Sequence, residues 1–175
     1  INFIYFIQLI LAAFNLSDYV KKIRYSDYKK YITSDNMIPI SFLVPAYNEQ
    51  ETIVENIKSL ISLNYPKFEV IVINDGSKDE TLNRVIQEFD LKEVHQPVRY
   101  RINTNKIRGI YKNLDIPNLI VVDKENGGKA DALNAGINIS NYPIVTSIDA
   151  DSILESDSLV RVVMPFIEDK KTIAV

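Results

Sequence analysis

Two aspartates, Asp149 and Asp151, follow an apolar run and are separated by a single alanine. In extended backbone, residues i and i+2 face the same side, so the two carboxylates can converge above a strand end. Hard carboxylate oxygens suit Mg²⁺ or Mn²⁺, which commonly binds one or two carboxylates together with substrate phosphates. A polar turn that merely ends the strand is the other interpretation, and the remainder of the sequence must decide between them.

Three further apolar runs also end in polar clusters. The first ends in PAYNE at residues 45–49, the next in NDGS at 74–77 and the third in DKENGGK at 123–129. In an open sheet of parallel strands, ligands bind outside the carboxyl ends of the strands, which share one edge. Four polar clusters at one edge describe a site, which favours the ligand interpretation of Asp149 and Asp151.

The residue types in these clusters suit a nucleotide diphosphate. Asp75, in a tight turn, can either cap the following helix or accept hydrogen bonds from a base edge or a ribose. Gly127 and Gly128 allow close backbone approach to a ligand, and Lys129 adds a positive charge at a helix N-terminus, although a turn with a solvated lysine is the alternative. Asp131 follows in the first turn of that helix, where a carboxylate also favours the helix dipole.

Strands and helices alternate along the chain from residue 38 onward. Continuous apolar runs predict strands, and apolar residues at helical spacing or a polar capping residue predict helices. The alternation predicts parallel βαβ units with right-handed crossovers, and therefore an α/β sheet flanked by helices. The predicted strands are 40–44, 68–74, 118–123 and 143–149, and the predicted helices are 51–63, 77–89 with Ser77 as N-cap, 129–140, and 156–169 with Ser156 as N-cap.

Residues 91–117 interrupt this alternation with weak periodicity and a concentration of basic side chains. Two interpretations stay open: a solvated surface excursion, or a basic loop near a phosphate-bearing ligand or anionic lipid headgroups. The basic residues concerned are Arg99, Arg101, Lys106, Arg108 and Lys112.

The first 16 residues form an apolar stretch with only three polar interruptions. A membrane span needs roughly 20 apolar residues, so the stretch is either the second half of a span or a buried or amphipathic helix. Basic residues and tyrosines follow at once, which favours a membrane helix with a cytoplasmic basic flank. A signal peptide is less favoured because its basic residues would precede the apolar run. We predict a truncated transmembrane helix at 1–17 and a basic juxtamembrane segment at 18–37.

Composition limits the possible chemistry. The 175 residues suffice for one domain with a core, and they include no cysteine and one histidine, His95. Thiolate and histidine-rich metal sites are therefore excluded, and a metal would need oxygen ligands. The net charge of −3 gives no indication of a nucleic-acid partner. The first strand ends without the G-x-G-x-x-G of dinucleotide sites, and NGGKAD lacks the spacing and hydroxyl of a P-loop.

Four segments, FLVPAYNEQETI, VIVINDGSKDET, ENGGKADALNAGI and SIDAD, resemble in order and spacing the successive signatures of family 2 glycosyltransferases with the GT-A fold. Within that family, the chain is most similar to membrane-bound enzymes related to cellulose, hyaluronan and poly-N-acetylglucosamine synthases. The resemblance covers residues 38–175 and implies a Rossmann-like, mostly parallel sheet, preceded by a transmembrane helix and lying on the cytoplasmic side of the cytoplasmic membrane. Because the chain starts at Ile1 and stops in the strand-like KTIAV, we expect an N-terminal fragment that is incomplete at its C-terminus.

The resemblance implies roles for residues that match the nucleoside-binding signatures. Pro45 and Ala46 are expected to line the nucleoside pocket, with Tyr47 near the uracil and Glu49 near the ribose. Asp75 is expected to hydrogen-bond the uracil. UDP is the expected nucleotide, although some members of the family use GDP or dTDP sugars.

The resemblance extends to the diphosphate side of the pocket. Lys129 and Asp131 are expected to contact the diphosphate and sugar region. Asp151 is expected to be the direct ligand of Mg²⁺ or Mn²⁺, with Asp149 near the ribose or the metal. The expected partners are a nucleotide-sugar donor, a saccharide or lipid acceptor, and the membrane, with no nucleic acid.

The implied reaction is an inverting, metal-dependent transfer of a sugar from a nucleotide sugar to a polysaccharide or other acceptor, in cell-envelope or extracellular polysaccharide biosynthesis. The general base is expected beyond Val175, because Glu168 and Asp169 lie too close to the aspartate pair and end a predicted helix. The alternative is a non-catalytic module that binds a nucleotide sugar in a membrane complex. Nucleotidyl transfer would require a glycine- and arginine-rich loop after the first strand, which PAYNEQE lacks.

Overall fold

The computed structural model describes residues 3–12, 16, 37–149, 152, 154, 158–169 and 171–175. The chain divides into two compact units, Ile1–Asn36 and Met37–Val175. In the first unit, residues 3–12 are helical and their apolar side chains are exposed. Within the described ranges, every helix is too short or too polar to cross a bilayer. The transmembrane helix at 1–17 stays a prediction, and the juxtamembrane segment at 18–37 lies, apart from Met37, outside the described residues.

In the second unit, the described residues form a six-stranded sheet that positions all four polar clusters. Strand β1 pairs in parallel with β2 and β6, and β2 pairs in parallel with β5. Strand β4 pairs antiparallel with both β3 and β5, so the sheet is mixed. In the order β3-β4-β5-β2-β1-β6, the strands are β1 (Ile40–Ala46), β2 (Phe68–Asn74), β3 (Lys92–Glu93), β4 (Ile107–Asn113), β5 (Ile116–Lys124) and β6 (Ile144–Ser147).

The described residues of the second unit also form four helices, which connect or follow the strands: α1 (Ile53–Ile61), α2 (Thr81–Glu88), α3 (Lys129–Ile139) and α4 (Ser158–Glu168). Helix α3 packs against β1 and β2, and its approach depends on Gly136. A Cβ at Gly136 would lie 2.8 Å from Leu43 Cδ2, so a larger side chain would force either the leucine or the helix to shift. The buried side chains of Ile71, Ile73 and Ala135 belong to the same core cluster, whose burial is the main stabilising contribution.

The parallel strands and the helices after them follow the sequence prediction closely, but the start of α2 does not. Ser77 is not its N-cap, because the helix begins at Thr81, after Glu80. The hydroxyl of Ser77 instead accepts a hydrogen bond from the backbone N–H of Asn48 at 3.0 Å. Asp79 shapes the turn into α2, since its Oδ1 accepts from the Thr81 N–H at 3.0 Å. Ser156, predicted to cap the last helix, lies outside the described residues.

Residues 91–117 are not irregular throughout, because they include the strands β3 and β4. The irregular part between these strands is attached to helix α3 by Asn138, which is 6% exposed. Its Oδ1 accepts from the backbone N–H groups of Arg101 at 2.9 Å and Ile102 at 3.0 Å. Its Nδ2 donates to the carbonyl of Ile102 at 2.7 Å. The buried side chain of Asn138 therefore binds two backbone N–H groups and one backbone carbonyl of residues 101–102.

Candidate functional site

A cavity of about 530 Å³ opens at the carboxyl edge of the parallel strands. The strand ends are aligned there by register, since Ala46 pairs with Asn74 and Asn74 pairs with Asp123. Most of the residues that the sequence singled out line this cavity together. They are Pro45, Ala46, Tyr47, Glu49, Asp75, Lys129 and Asp149, and the lining also includes Asn126, Gly128 and Ala132.

Two residues that the sequence singled out, Gly127 and Asp131, are not among the described lining residues. Asp131 lies in the first turn of α3, and its carboxylate is engaged by other protein groups, described below. Asp151, the expected metal ligand, lies outside the described residues. The backbone beside it is partly described, since the N–H of Ser152 donates to the carbonyl of Asp149 at 3.0 Å. The side-chain amide of Asn56 in turn donates to the carbonyl of Ser152 at 2.9 Å.

The loop that carries Tyr47 and Glu49 is held by the loop before α2. Asn48 has a φ of 58°, in the left-handed region that asparagine tolerates better than most residues. Its backbone N–H donates to Ser77, and the next N–H, of Glu49, donates to Thr81 Oγ1 at 2.8 Å. The backbone around Tyr47 is therefore fixed, while its side chain remains 45% exposed.

Asp75 organises the glycine turn on the opposite side of the cavity. It is 3% exposed. Its Oδ1 accepts from the Gly127 N–H at 3.0 Å and its Oδ2 accepts from the Gly128 N–H at 2.7 Å. Lys124 Nζ donates to Oδ1 at 2.5 Å. Of the two roles left open by the sequence, helix capping is excluded, because these contacts lead away from α2.

The glycines of this wall allow protein groups to approach closely. A Cβ at Gly127 would lie 2.5 Å from Asp131 Oδ2, a contact that real side chains do not make. Gly128, at a φ of +84°, precedes α3 as its N-cap. Gly76, at a φ of +68°, has backbone of Asn126 so near that a Cβ would lie 2.8 Å from its nitrogen. Both positive φ values favour glycine over residues with a Cβ.

Lys124 is a site-forming residue that the sequence did not reveal. It ends β5 with a side chain that is 0% exposed, and it also donates to Asp131 Oδ2 at 2.6 Å. Burial alone would raise the pKa of Asp131, but hydrogen bonds from Lys124, the Asn105 backbone and Thr104 outweigh it and lower that pKa. Asp131 is therefore held as a carboxylate by three donors.

A second set of hydrogen-bonded polar side chains lies where β2 and β5 end and β4 begins. Asp123, 7% exposed, accepts from Asn74 Nδ2 at 2.7 Å and from an Arg108 guanidinium nitrogen at 2.6 Å. The Asp123 carboxylate raises the pKa of Arg108, chiefly through this hydrogen bond. Arg108, one of the basic residues of 91–117, therefore pairs with a carboxylate at the strand ends. Its side chain is 44% exposed, and the basic-loop interpretation stays a prediction.

Lys129 and Asp149 form an ion pair at the mouth of the cavity. Both side chains are 59% exposed, so water can replace either partner. Lys129 is also the first residue of α3, where backbone N–H groups and the helix dipole favour an anion. The mouth thus combines a replaceable ammonium, a replaceable carboxylate and a helix N-terminus.

Curated proteins similar to this chain are polysaccharide synthases. The poly-beta-1,6-N-acetyl-D-glucosamine synthase of Staphylococcus aureus (strain COL) is 36% identical over 159 residues, which is 90% of this chain and 32% of that protein. The synthase of the same name from Staphylococcus epidermidis (strain ATCC 35984) is 35% identical over 136 residues, 78% of this chain and 27% of that protein. The chain spans about a third of the length of the first of these relatives.

Two solved structures share the fold. S. aureus TarS 1-349 in complex with UDP-GlcNAc matches with a TM-score of 0.55 and 23% identity, over 75% of this chain and 32% of that chain. Mannosyltransferase PcManGT from Pyrobaculum calidifontis, in complex with GDP-Man and Mn²⁺, matches with a TM-score of 0.59 and 23% identity, over 91% of this chain and 42% of that chain. The family model described as Glycosyl transferase family 2 matches residues 41–175, which contain all four polar clusters. The chain belongs to glycosyl transferase family 2.

Proposed function

We propose that residues 38–175 form the nucleotide-sugar-binding part of a glycosyltransferase that transfers a sugar from a UDP-sugar to a polysaccharide or to another saccharide or lipid acceptor. The observation that carries this proposal is the convergence of four strand-end clusters on one cavity of about 530 Å³. That volume is within the range of small-molecule sites. The similarity to poly-beta-1,6-N-acetyl-D-glucosamine synthases supports a polysaccharide product.

The nucleoside half of the donor would bind between the two walls of the cavity. The half-exposed ring of Tyr47 offers a face on which a base can stack. The fixed carboxylate of Asp75 can accept an N–H from the edge of a uracil, and Glu49 can accept a ribose hydroxyl. Pro45 and Ala46 supply the apolar side of the same pocket.

The diphosphate would lie at the cavity mouth. Lys129 would exchange its contact with Asp149 for the diphosphate, which also lies near the N-terminus of α3. The contacts of Asp131 with Lys124, Thr104 and Asn105 favour a supporting role for this carboxylate over direct contact with the diphosphate.

A divalent metal fits the exposed carboxylate of Asp149. Within the described ranges, acidic and histidine side chains do not gather in groups of three or more that could hold an ion by themselves. Mg²⁺ or Mn²⁺ needs only one or two carboxylates when substrate phosphates complete its coordination. Asp149, together with Asp151, would hold the ion. When bound, it would stabilise negative charge on the leaving diphosphate.

The reaction that we propose inverts the configuration at the sugar. An acceptor hydroxyl would attack the anomeric carbon while a general base beyond Val175 takes its proton. The residues described here would bind the donor and orient its diphosphate. The exposed apolar helix at residues 3–12 supports attachment to a membrane. The basic residues that follow it in the sequence favour the cytoplasmic membrane, with the catalytic domain on the cytoplasmic side.

Calorimetry on the full-length protein tests the donor and the metal together. We expect UDP to bind more tightly than GDP or CDP, and Mn²⁺ to strengthen UDP binding. We also expect Asp151→Ala to abolish the metal effect and sugar transfer while leaving the fold intact. Asp169→Ala, the same change at an exposed position outside the cavity lining, is the matched control.

Each outcome of that experiment is informative. UDP binding without a metal effect would contradict the metal assignment, and near-native turnover by Asp151→Ala would contradict the role of that residue. Metal-enhanced UDP binding without any turnover of UDP-sugars would favour a non-catalytic binding module. The absence of nucleotide binding would contradict the proposed function as a whole.

A further inference from the structure

Lys124 has a fully buried ammonium whose hydrogen-bonding capacity is used up inside the protein. A lysine ammonium has three N–H donors. The structure provides three acceptors: Asp75 Oδ1 at 2.5 Å, Asp131 Oδ2 at 2.6 Å and the carbonyl of Glu125 at 2.5 Å. No N–H group is left for a substrate. Any effect of Lys124 on a ligand must therefore act through the groups that it holds.

The cluster of Asp75, Lys124 and Asp131 contains two carboxylates and one ammonium, a net single negative charge. The side chains of Asp75 and Lys124 are buried, and that of Asp131 is 21% exposed. Each carboxylate has further donors from another segment. Those on Asp75 come from the glycine turn, and those on Asp131 come from Thr104 Oγ1 at 3.1 Å and the Asn105 N–H at 3.1 Å. Buried charges persist when their hydrogen-bonding groups are satisfied, and removing one partner leaves the others uncompensated.

The cluster links four separate segments of the second unit to the cavity wall. Asp75 follows β2, Lys124 ends β5, Asp131 belongs to α3, and residues 104–105 precede β4. Two further hydrogen bonds beside the cluster connect some of the same segments. Asn105 Nδ2 donates to the carbonyl of Asn126 at 2.8 Å, and Asn126 Nδ2 donates to the carbonyl of Asp75 at 2.7 Å.

In this geometry the backbone N–H groups of the glycine turn bind a protein carboxylate and not a ligand. The N–H groups of Gly127 and Gly128 point to Asp75 and are therefore occupied before any ligand arrives. A diphosphate would have to rely on Lys129 and the start of α3, while the glycine turn serves to fix Asp75. The orientation of Asp75 then depends on three donors, of which only Lys124 carries a charge.

We propose that Lys124 is a positioning residue for the donor: its buried ammonium fixes the Asp75 carboxylate and the Gly127–Gly128 turn in the arrangement that receives a nucleoside diphosphate. This inference rests on the proposed function, since it assumes that the donor occupies the cavity beside Asp75. It also gives residues 104–105 a part in the site, because they hold Asp131 and thereby the ammonium.

Two variants separate this role from a purely structural one. Lys124→Met removes the ammonium and leaves the buried carboxylate of Asp75 and the partly buried carboxylate of Asp131 without their shared cation, which can prevent folding. The double variant Lys124→Met/Asp131→Asn keeps the cluster at a single negative charge and retains one side-chain oxygen that can accept from Thr104 and Asn105. Lys58→Met is the matched control, since Lys58 bridges two acidic residues on the surface, Glu88 at 2.7 Å and Glu55 at 3.2 Å.

The first measurement needs no ligand. Amide hydrogen exchange in the full-length protein reports how firmly the N–H groups of Gly127 and Gly128 are held. In the double variant we expect these two amides to exchange at least about tenfold faster, while amides of β2 change by less than about twofold. Unchanged exchange at the two glycines would overturn the proposal.

The second measurement is UDP affinity by calorimetry, together with transfer kinetics. We expect the dissociation constant for UDP, and KM for the donor, to rise about tenfold in the double variant, with kcat less affected. Lys58→Met should bind UDP as the wild type does. Wild-type affinity in the double variant would overturn the positioning role. If the wild-type protein fails to bind UDP, the proposed function is contradicted, and the glycine amides still decide whether Lys124 holds the turn.

Discussion

Two lysine–aspartate pairs border the same cavity and differ in their exposure to water. The side chains of Lys124 and Asp75 are 0% and 4% exposed, whereas those of Lys129 and Asp149 are each 59% exposed. The buried ammonium cannot leave its partners without stranding charge in the interior. The exposed pair is screened by solvent and can exchange partners at little cost. The same two residue types therefore shape the wall in one place and remain available to a ligand in the other.

Removal of the ammonium of Lys124 from the buried pair is expected to have the largest effect. Lys124→Met should lower the free energy of unfolding by about 3–5 kcal/mol, because two carboxylates are left without their shared cation. Denaturant unfolding of the full-length protein measures this loss. The double variant with Asp131→Asn should recover part of it. A loss no larger than that of a surface lysine would mean that the cluster is not the anchor of this wall.

The exposed pair should respond in the opposite way. Lys129→Met should change the free energy of unfolding by less than about 1 kcal/mol, because exposed ion pairs contribute little. UDP affinity should fall by about one to two orders of magnitude, since a hydrogen bond from a charged donor is worth about 1.5–3 kcal/mol. Calorimetry measures the affinity, and Lys129→Arg, which keeps the charge, should retain much of it. Undiminished UDP binding by Lys129→Met would place the diphosphate elsewhere.

The smallest expected effect concerns the pH dependence of stability, which tests the carboxylate of Asp131 beside Lys124. The pKa of Asp131 is lowered below its ordinary value of 3.8 by donors that outweigh burial. A lowered pKa in the folded state adds stability above the unfolded-state pKa, and this stability is lost as pH falls through the folded-state value. As pH falls below about 4, the thermal midpoint of Asp131→Asn should therefore decline less steeply than that of the wild type. Parallel curves would show that Asp131 titrates alike in both states.

The parts of the fold that could be predicted are those in which local sequence and burial agree. Strand β2 was predicted with its observed bounds because FEVIVIN is a nearly continuous apolar run, interrupted only by Glu69 before its final Asn74, in the centre of the sheet. Strand β4, IRGIYKN, was missed, since its mixture of basic, apolar and glycine residues has no clear period. Its extended form depends on pairing with β5, a contact that a local pattern does not contain.

The residues of the site also divide into those that the sequence predicts and those that depend on distant contacts. The polar clusters were predicted to share an edge because that rule depends only on parallel strands, and the cavity lining agrees for Tyr47, Asp75 and Asp149. Lys124 was missed because a lysine at a strand end is ordinarily solvated. Its burial depends on Asp75, far away in the chain, and on a glycine turn tight enough to enclose it. The order of residues alone does not reveal that combination.

The side-chain amide of Asn138 has a consequence for how this protein can change in length. It holds the backbone at Arg101 and Ile102 to α3, and this attachment lies between residues 94–100 and strand β4. Val94 donates its backbone N–H to the carbonyl of Ile110 in β4, and Val94 and Val98 pack against the core, so an insertion at these residues would disturb the sheet. Residues 99–100 are exposed and directly precede the attachment point. An insertion there would extend into solvent, which makes these two residues the natural place for relatives to gain residues and for an engineer to insert an epitope tag.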